Sequence, residues 1–247
     1  MSTSRTPTEL HGQPEDRRLT RAVTGSLLIV AAGGFTQLLN YALDLGTGPL
    51  DSSMDGGIFG VVGDVSAAAA AAASWLAMIH LRPRTPAIIG APPLLTFIAL
   101  DKVLRLHDHI PHYLVVYAPF LVGAFVCLVR ITRRLPRSEA RVLWFGLALL
   151  ALSFALHLVG EQILLRSGLD GSAWARQVKA VVKHGSELEG WLLIGIGLTL
   201  GAVRHIPPRS LGTRSVKRMA ALRRRGDRAA HANRASSGST DHHEAGS

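Results

Sequence analysis

The chain has 247 residues, of which 48% are hydrophobic and 18% charged, with a formal net charge of +10 and a single cysteine. The apolar residues come in runs of about 20, the length needed to cross a bilayer, which excludes an ordinary soluble domain. One cysteine excludes an intrachain disulfide and a cysteine-based metal site. The basic residues lie between the apolar runs and in the tails, as in cytoplasmic loops of membrane proteins, so no nucleic-acid partner is expected.

The apolar runs divide the chain into three parts. Residues 1–21 are polar and predict a disordered cytoplasmic tail. Residues 22–205 predict an all-α transmembrane bundle, whose six spans cover residues 22–43, 58–81, 86–106, 113–131, 142–165 and 184–203. Residues 206–247 predict a basic, largely disordered cytoplasmic tail that contacts anionic lipids of the bilayer.

Small residues indicate where the spans pack most closely. The run Ala67 to Ala73 in the second span predicts a helix at the centre of the bundle, because small side chains let neighbouring backbones approach. Gly197 and Gly201, four residues apart in the sixth span, predict another close contact.

Trp174 to Val181 have apolar residues at helical spacing and predict a short interfacial helix that leads into the sixth span.

The distribution of arginine predicts the topology. Every arginine-rich connection falls on one side of the bundle when the spans are counted from the N terminus: the N-terminal tail, residues 82–84, residues 130–141 and the C-terminal tail. Since cytoplasmic loops carry the excess of Lys and Arg, both termini are predicted to be cytoplasmic in a multi-pass protein of the cell membrane.

Polar side chains within the spans form a second asymmetry. Ionisable groups are costly in hydrocarbon and need a partner, a water-filled cavity or an ion. With the predicted topology, five spans place such groups in the external half or at the external rim. Asp44 closes the first span, and the other four spans contribute the rest of this cluster: Asp64, Asp101, His107, Asp108, His157, Glu161, His184, Glu187 and Glu189.

The spacing of these groups predicts a metal site. His157 and Glu161 share one face of the fifth span, and His184 and Glu187 share one face of the sixth. Imidazoles and carboxylates on facing helices suit a divalent metal such as zinc. We expect His157, His184 and either Asp101 or Glu187 as ligands, with Glu161 as the general base that activates a bound water for hydrolysis of a lipid-soluble substrate.

Other functions are compatible with the same residues. A transporter or proton-coupled permease would use the cluster as a polar pathway, and a haem or quinone protein would use His157 and His184. A non-catalytic membrane scaffold would use it to fix helix packing. In that case His157 pairs with Glu161, Asp101 pairs with a nearby cation such as Lys102, and an acid early in the sixth span interacts with the helix dipole.

Overall fold

The structure is a computed structural model that describes residues 14–45, 58–169 and 171–206. The described residues form an all-helical fold without strands, as predicted. Six helices are each long and apolar enough to cross a membrane, which indicates a membrane-embedded protein. They are α1 (Pro14–Ala42), α2 (Ile58–His80), α3 (Pro86–Leu104), α4 (Tyr113–Thr132), α5 (Arg137–Arg166) and α6 (Ala173–Val203). The predicted C-terminal tail from residue 207 onward, and residues 1–13 of the N-terminal tail, lie outside the described residues.

Successive helices run in alternating directions, so the bundle has two distinct ends. At the first, α1, α3 and α5 begin and α2, α4 and α6 end. It carries the arginines of both α2–α3 and α4–α5 connections, and we call it the arginine end. At the opposite end lie the 3₁₀ turn Leu106–His109 and the α5–α6 connection. We call this the cluster end.

Helix α6 is the most buried of the six and packs against α1, α2 and α5. On the α2 side, a Cβ on Gly195 would lie 3.6 Å from the Cα of Ala70, within the alanine run. On the α5 side, a Cβ on Gly197 would lie 3.2 Å from the carbonyl oxygen of Glu139. The predictions that the alanine helix is central and that Gly197 marks a close contact are both confirmed.

Helices α1 and α6 pair over about half of their length. The rings of Tyr41 and Trp174 lie 5.5 Å apart, and the side chains of Ser26 and Glu189 are hydrogen bonded. Between these contacts, 15 residues of α1 run antiparallel to 15 residues of α6. On α6 this pairing uses more helix than the apolar run predicts, because α6 begins at Ala173 and its contact with Tyr41 is made by Trp174.

The predicted interfacial helix is therefore not a separate element. Residues 174–181 are the first turns of α6, and Ser172 caps that helix by accepting a hydrogen bond from the amide of Ala175. Proline and glycine are absent between Ala173 and His184, so nothing in the sequence interrupts the helix. The polar residues Pro14 to Arg21, predicted as tail, form the first turns of α1.

Helix α1 buries its polar face and exposes its apolar one. Ser26, Gln37 and Asn40 are buried, whereas Leu28 and Phe35 are 64% and 67% exposed. This arrangement is unfavourable in water and favourable in lipid, where polar side chains turn toward the bundle interior. It supports the membrane setting independently of hydropathy.

The helices differ in how far they extend at the cluster end. The arginine end lies 16 residues, about 24 Å, from each of Asp64, Lys102 and Glu187 on α2, α3 and α6. In the other direction α2 and α3 end within six residues, whereas α6 continues for 14 residues, about 21 Å. Helices α1 and α5 extend beside α6 over this length. Residues 33–42, 156–166 and 173–182 thus form a three-helix projection beyond the ends of α2 and α3.

Candidate functional site

Polar side chains from five helices meet at one level of the bundle, and we call this set the polar layer. It lies about 3–9 Å inside the ends of α2 and α3, and its members contact one another across helix boundaries. The polar layer consists of Ser26 (α1), Asp64 (α2), Asp101 and Lys102 (α3), Tyr117 (α4), and Glu187 and Glu189 (α6).

An ion-paired group of three lies at the centre of the polar layer. Lys102 Nζ is 2.5 Å from Glu187 Oε1 and 3.9 Å from Asp64 Oδ1. The three side chains are 22%, 25% and 31% exposed. The ammonium group therefore lies between two carboxylates from different helices, where it neutralises part of their charge. A metal ion at this position would have to displace a cation that the chain itself supplies.

Asp101 is directed to a different partner from its neighbour Lys102. The hydroxyl of Tyr117 donates to Asp101 Oδ1 over 2.6 Å, and both residues are buried. Successive residues of a helix point about 100° apart, so Asp101 faces α4 while Lys102 faces α2 and α6. The ring of Phe97 stacks on Tyr117 at 5.4 Å and shields this hydrogen bond.

Glu189 lies on the side of α6 that faces α1. Its Oε1 accepts a hydrogen bond from the hydroxyl of Ser26 at 2.8 Å, and the residue is only 3% exposed. Its second oxygen, Oε2, is buried without a hydrogen-bond partner among the described residues. Glu189 is thus separated from Glu187 by the width of α6, and the two carboxylates serve different helix contacts.

His157 and Glu161 are placed on the projection side of the polar layer, and each contacts a different neighbouring helix. His157 Nε2 is 2.9 Å from the hydroxyl of Tyr113 on α4, and Glu161 pairs with Lys179 on α6. Both residues are exposed. His157 and Glu161 do share one face of α5, as predicted. However, α4 and α6 lie on opposite sides of that face, so His157 contacts α4 and Glu161 contacts α6.

The predicted metal ligands are only partly brought together. His184 precedes Glu187 by one turn on α6, while Asp101 and His157 contact two tyrosines of α4. Across residues 14–45, 58–169 and 171–206, no three His, Cys, Asp or Glu side chains are placed to hold one metal ion. The metal assignment stays a prediction. The side chain of His107 lies outside the described residues.

Several partners in the site were missed from the sequence. Tyr113 and Tyr117 are four residues apart in the first turns of α4, and this spacing is the signal that predicts two phenol groups on one face. Ser26 and Lys179 carried no such signal, because a serine in an apolar run and a lysine near a helix end are both common. Their roles depend on the α1–α6 and α5–α6 pairing.

The polar layer is separated from the arginine end by an apolar core. This core includes the fully buried side chains of Leu143, Ile194 and Leu198, together with Leu147 and Trp191.

At the arginine end itself lies an acid that the sequence analysis overlooked: Glu139, whose Oε1 is 2.6 Å from Arg204 Nε. The two groups form an ion pair, but their geometry does not meet the angles of a hydrogen bond. The other carboxylate oxygen of Glu139, Oε2, accepts a hydrogen bond from the hydroxyl of Ser138.

A family model described as "domain of unknown function (DUF8692)" matches residues 19–200 of the chain. This range contains the polar layer, the apolar core and most of every helix. No curated protein and no solved structure matches the chain.

Proposed function

We propose that this chain, which belongs to the DUF8692 family, is a non-catalytic membrane subunit whose polar layer fixes the packing of six helices. One observation carries the proposal: the acids of the layer are matched to groups on other helices, as in Lys102 with Glu187, Tyr117 with Asp101 and Ser26 with Glu189. Each such contact contributes about 0.6 kcal/mol on average in a membrane protein. Their larger effect is to select one rotation and one depth for each helix.

The proposed orientation places the arginine end in the cytoplasm and the three-helix projection on the external side of the cell membrane. The supporting feature is the positive charge of the connections at the arginine end, such as Arg84, Arg133 and Arg137.

Single cysteines in a Cys127→Ala background test this orientation. We expect a membrane-impermeant maleimide to label Gly171→Cys on intact cells and Arg84→Cys only after permeabilisation. The reverse pattern would invert the topology.

A metal-dependent hydrolase that acts on a lipid-soluble substrate is the second candidate. It is favoured by the partial exposure of Asp64, Lys102 and Glu187, which a purely structural ion cluster does not need. In this alternative His184 and either Glu187, after displacement of Lys102, or Asp101, after release from Tyr117, bind zinc. His157 must leave Tyr113 to complete the site. Glu161 would have to leave Lys179 to act as a base. No comparable observation favours a transporter, because the apolar core separates the layer from the arginine end.

Metal content distinguishes the two candidates. Protein purified in mild detergent is analysed for metals by mass spectrometry, together with His157→Ala and His184→Ala. The subunit proposal expects the same sub-stoichiometric metal in all three proteins. One equivalent of metal in the parent that is lost from both variants would contradict it and support the hydrolase.

Charge exchange tests the structural role directly. Lys102→Glu and Glu187→Lys each place like charges together and are expected to lower the midpoint of thermal unfolding. The double exchange restores an opposite-charge pair between α3 and α6, so we expect it to recover part of that loss. If the double variant is as unstable as the sum of the singles, the pair does not fix these helices.

A further inference from the structure

A cavity at the arginine end lies outside the polar layer and has a different chemical character. It has a volume of about 490 Å³ and is lined by Thr85, Pro86 and Ala87 at the start of α3 and by Arg130, Arg133 and Arg134 at the end of α4. Three exposed arginines line this open cavity and give it a concentrated positive charge. Such a cavity is large enough for a small charged ligand, since typical ligand sites begin at about 300 Å³.

The charge of these arginines is not balanced by nearby acids. Among the described residues, no carboxylate forms an ion pair with Arg130, Arg133 or Arg134. Glu139, the closest acid along the chain, is paired with Arg204. The end of α4 offsets part of the positive charge through its helix dipole, but this amounts to only about half an elementary charge.

The first turn of α3 adds to the positive potential. Thr85 is the N-cap, and its hydroxyl accepts a long hydrogen bond from the amide of Ile88. Pro86 has no amide hydrogen, so Ala87 provides the remaining free amide of the turn, beside the arginines. The partial positive charge at this helix start cancels the partial negative charge at the end of α4. Three full positive charges remain.

We propose that this cavity binds a phosphate group. Guanidinium groups bind phosphate oxygens through paired hydrogen bonds, and three of them can surround one phosphate. The cavity lies at the helix ends, where lipid headgroups meet the bundle, so a phospholipid headgroup and a soluble phosphate can both reach it. The shared ligand chemistry is an anionic phosphate group with a free terminal phosphate, as in phosphatidate and in inorganic phosphate. This inference is independent of the function proposed for the polar layer.

The test uses the full chain in mild detergent and two probes. Phosphatidate binding is titrated by native mass spectrometry, with diacylglycerol as the control lipid that lacks a phosphate group. Thermal unfolding is measured in inorganic phosphate and in chloride at equal ionic strength. The triple variant Arg130→Gln, Arg133→Gln, Arg134→Gln is compared with a matched triple, Arg17→Gln, Arg18→Gln, Arg21→Gln, which removes equal charge from the start of α1. The basic C-terminal tail is common to all of them.

We expect the cavity triple to bind phosphatidate at least tenfold more weakly than the parent, and the α1 triple to stay within twofold. Stabilisation by inorganic phosphate as well would identify a soluble phosphate as a sufficient ligand, whereas a response to phosphatidate alone would identify the lipid. Equal weakening in both triples, or equal binding of diacylglycerol, would overturn the proposal.

A second variant covers the case in which the cavity triple does not fold. Pro86→Glu keeps all three arginines and places a carboxylate at the first position of α3, where an acid is favourable to the helix. The tethered carboxylate competes with phosphate for the arginines. We expect phosphatidate binding to weaken at least fivefold with no loss of thermal stability. Unchanged binding in this variant would also overturn the proposal.

Discussion

Two ion pairs join α5 to α6, one at each end of the bundle, and they differ in burial more than in geometry. At the arginine end, Glu139 pairs with Arg204, and its side chain is only 1% exposed. On the three-helix projection, Glu161 pairs with Lys179, and its side chain is 67% exposed. The two acids are 22 residues apart on α5, about 33 Å, which is close to the thickness of the hydrocarbon core.

Burial changes what each pair contributes. The carboxylate of Glu139 has lost its water, so its charge depends on Arg204 and on the hydroxyl of Ser138. The carboxylate of Glu161 is still hydrated, and salt screens its attraction to Lys179. A glutamate of α5 therefore pairs with a cation at both ends, with Arg204 in one case and Lys179 in the other, and we expect the buried pair to be essential and the exposed pair dispensable. Variants of each pair, and of the packing between them, test this difference.

The largest effect is expected at the arginine end. Arg204→Ala leaves the carboxylate of Glu139 buried without a cation, which costs about 3–5 kcal/mol of unfolding free energy. The measurement is an unfolding titration with sodium dodecyl sulfate in mixed micelles. The double variant Glu139→Leu, Arg204→Met removes both charges, so we expect it to be clearly more stable than Arg204→Ala. If the two variants lose equal stability, burial of an unpaired charge is not the cause.

A smaller effect is expected from steric packing between the two pairs. Gly146 of α5 faces Gly190 of α6, and a Cβ on Gly146 would lie 2.9 Å from the carbonyl oxygen of Gly190. Backbone cannot move as freely as a flexible side chain, so Gly146→Ala should separate the helices and cost about 1–3 kcal/mol. Unfolding titrations give this value.

Gly25→Ala on α1 is the matched control for the packing variant. A Cβ there meets no atom within 4 Å, so the same change should instead add stability, by about 0.5–1 kcal/mol through helix propensity. If Gly146→Ala behaved like Gly25→Ala, α5 and α6 would be less tightly packed than the structure shows.

The helices themselves were predictable from the sequence, because hydrocarbon requires long apolar runs. Each of the six helices has at least one end within one residue of the corresponding end of its predicted span. The errors are the polar extensions, Pro14 to Arg21 on α1 and Ala173 to Lys183 on α6. Hydropathy cannot detect a polar helix, and the extension of α6 gains its partner only in the fold, where Trp174 and Val181 lie against Tyr41 and Gly34 of α1.

The composition of the candidate site was predictable, but its pairing was not. Asp64, Asp101, Glu187 and Glu189 do lie at one level, which follows from counting residues along each helix. Which atoms meet depends on the rotation of each helix about its axis. A rotation of about 100° separates Asp101, which contacts Tyr117, from Lys102, which contacts Glu187. From the sequence, Asp101 was a candidate metal ligand or the partner of a nearby cation such as Lys102, and Tyr117 was not foreseen.

The smallest effect is expected on the three-helix projection. Glu161→Gln preserves the shape of the side chain and removes only its charge, and we expect no measurable change in the unfolding midpoint at physiological salt. Glu139→Gln is the same chemical change on the same helix, and we expect it to lower the midpoint clearly, because Arg204 then lacks its buried counter-charge. An equal loss in both variants would show that Glu161 is shielded from water in the folded protein. The projection would then lie in lipid or beneath a partner, since its own three helices leave that carboxylate exposed.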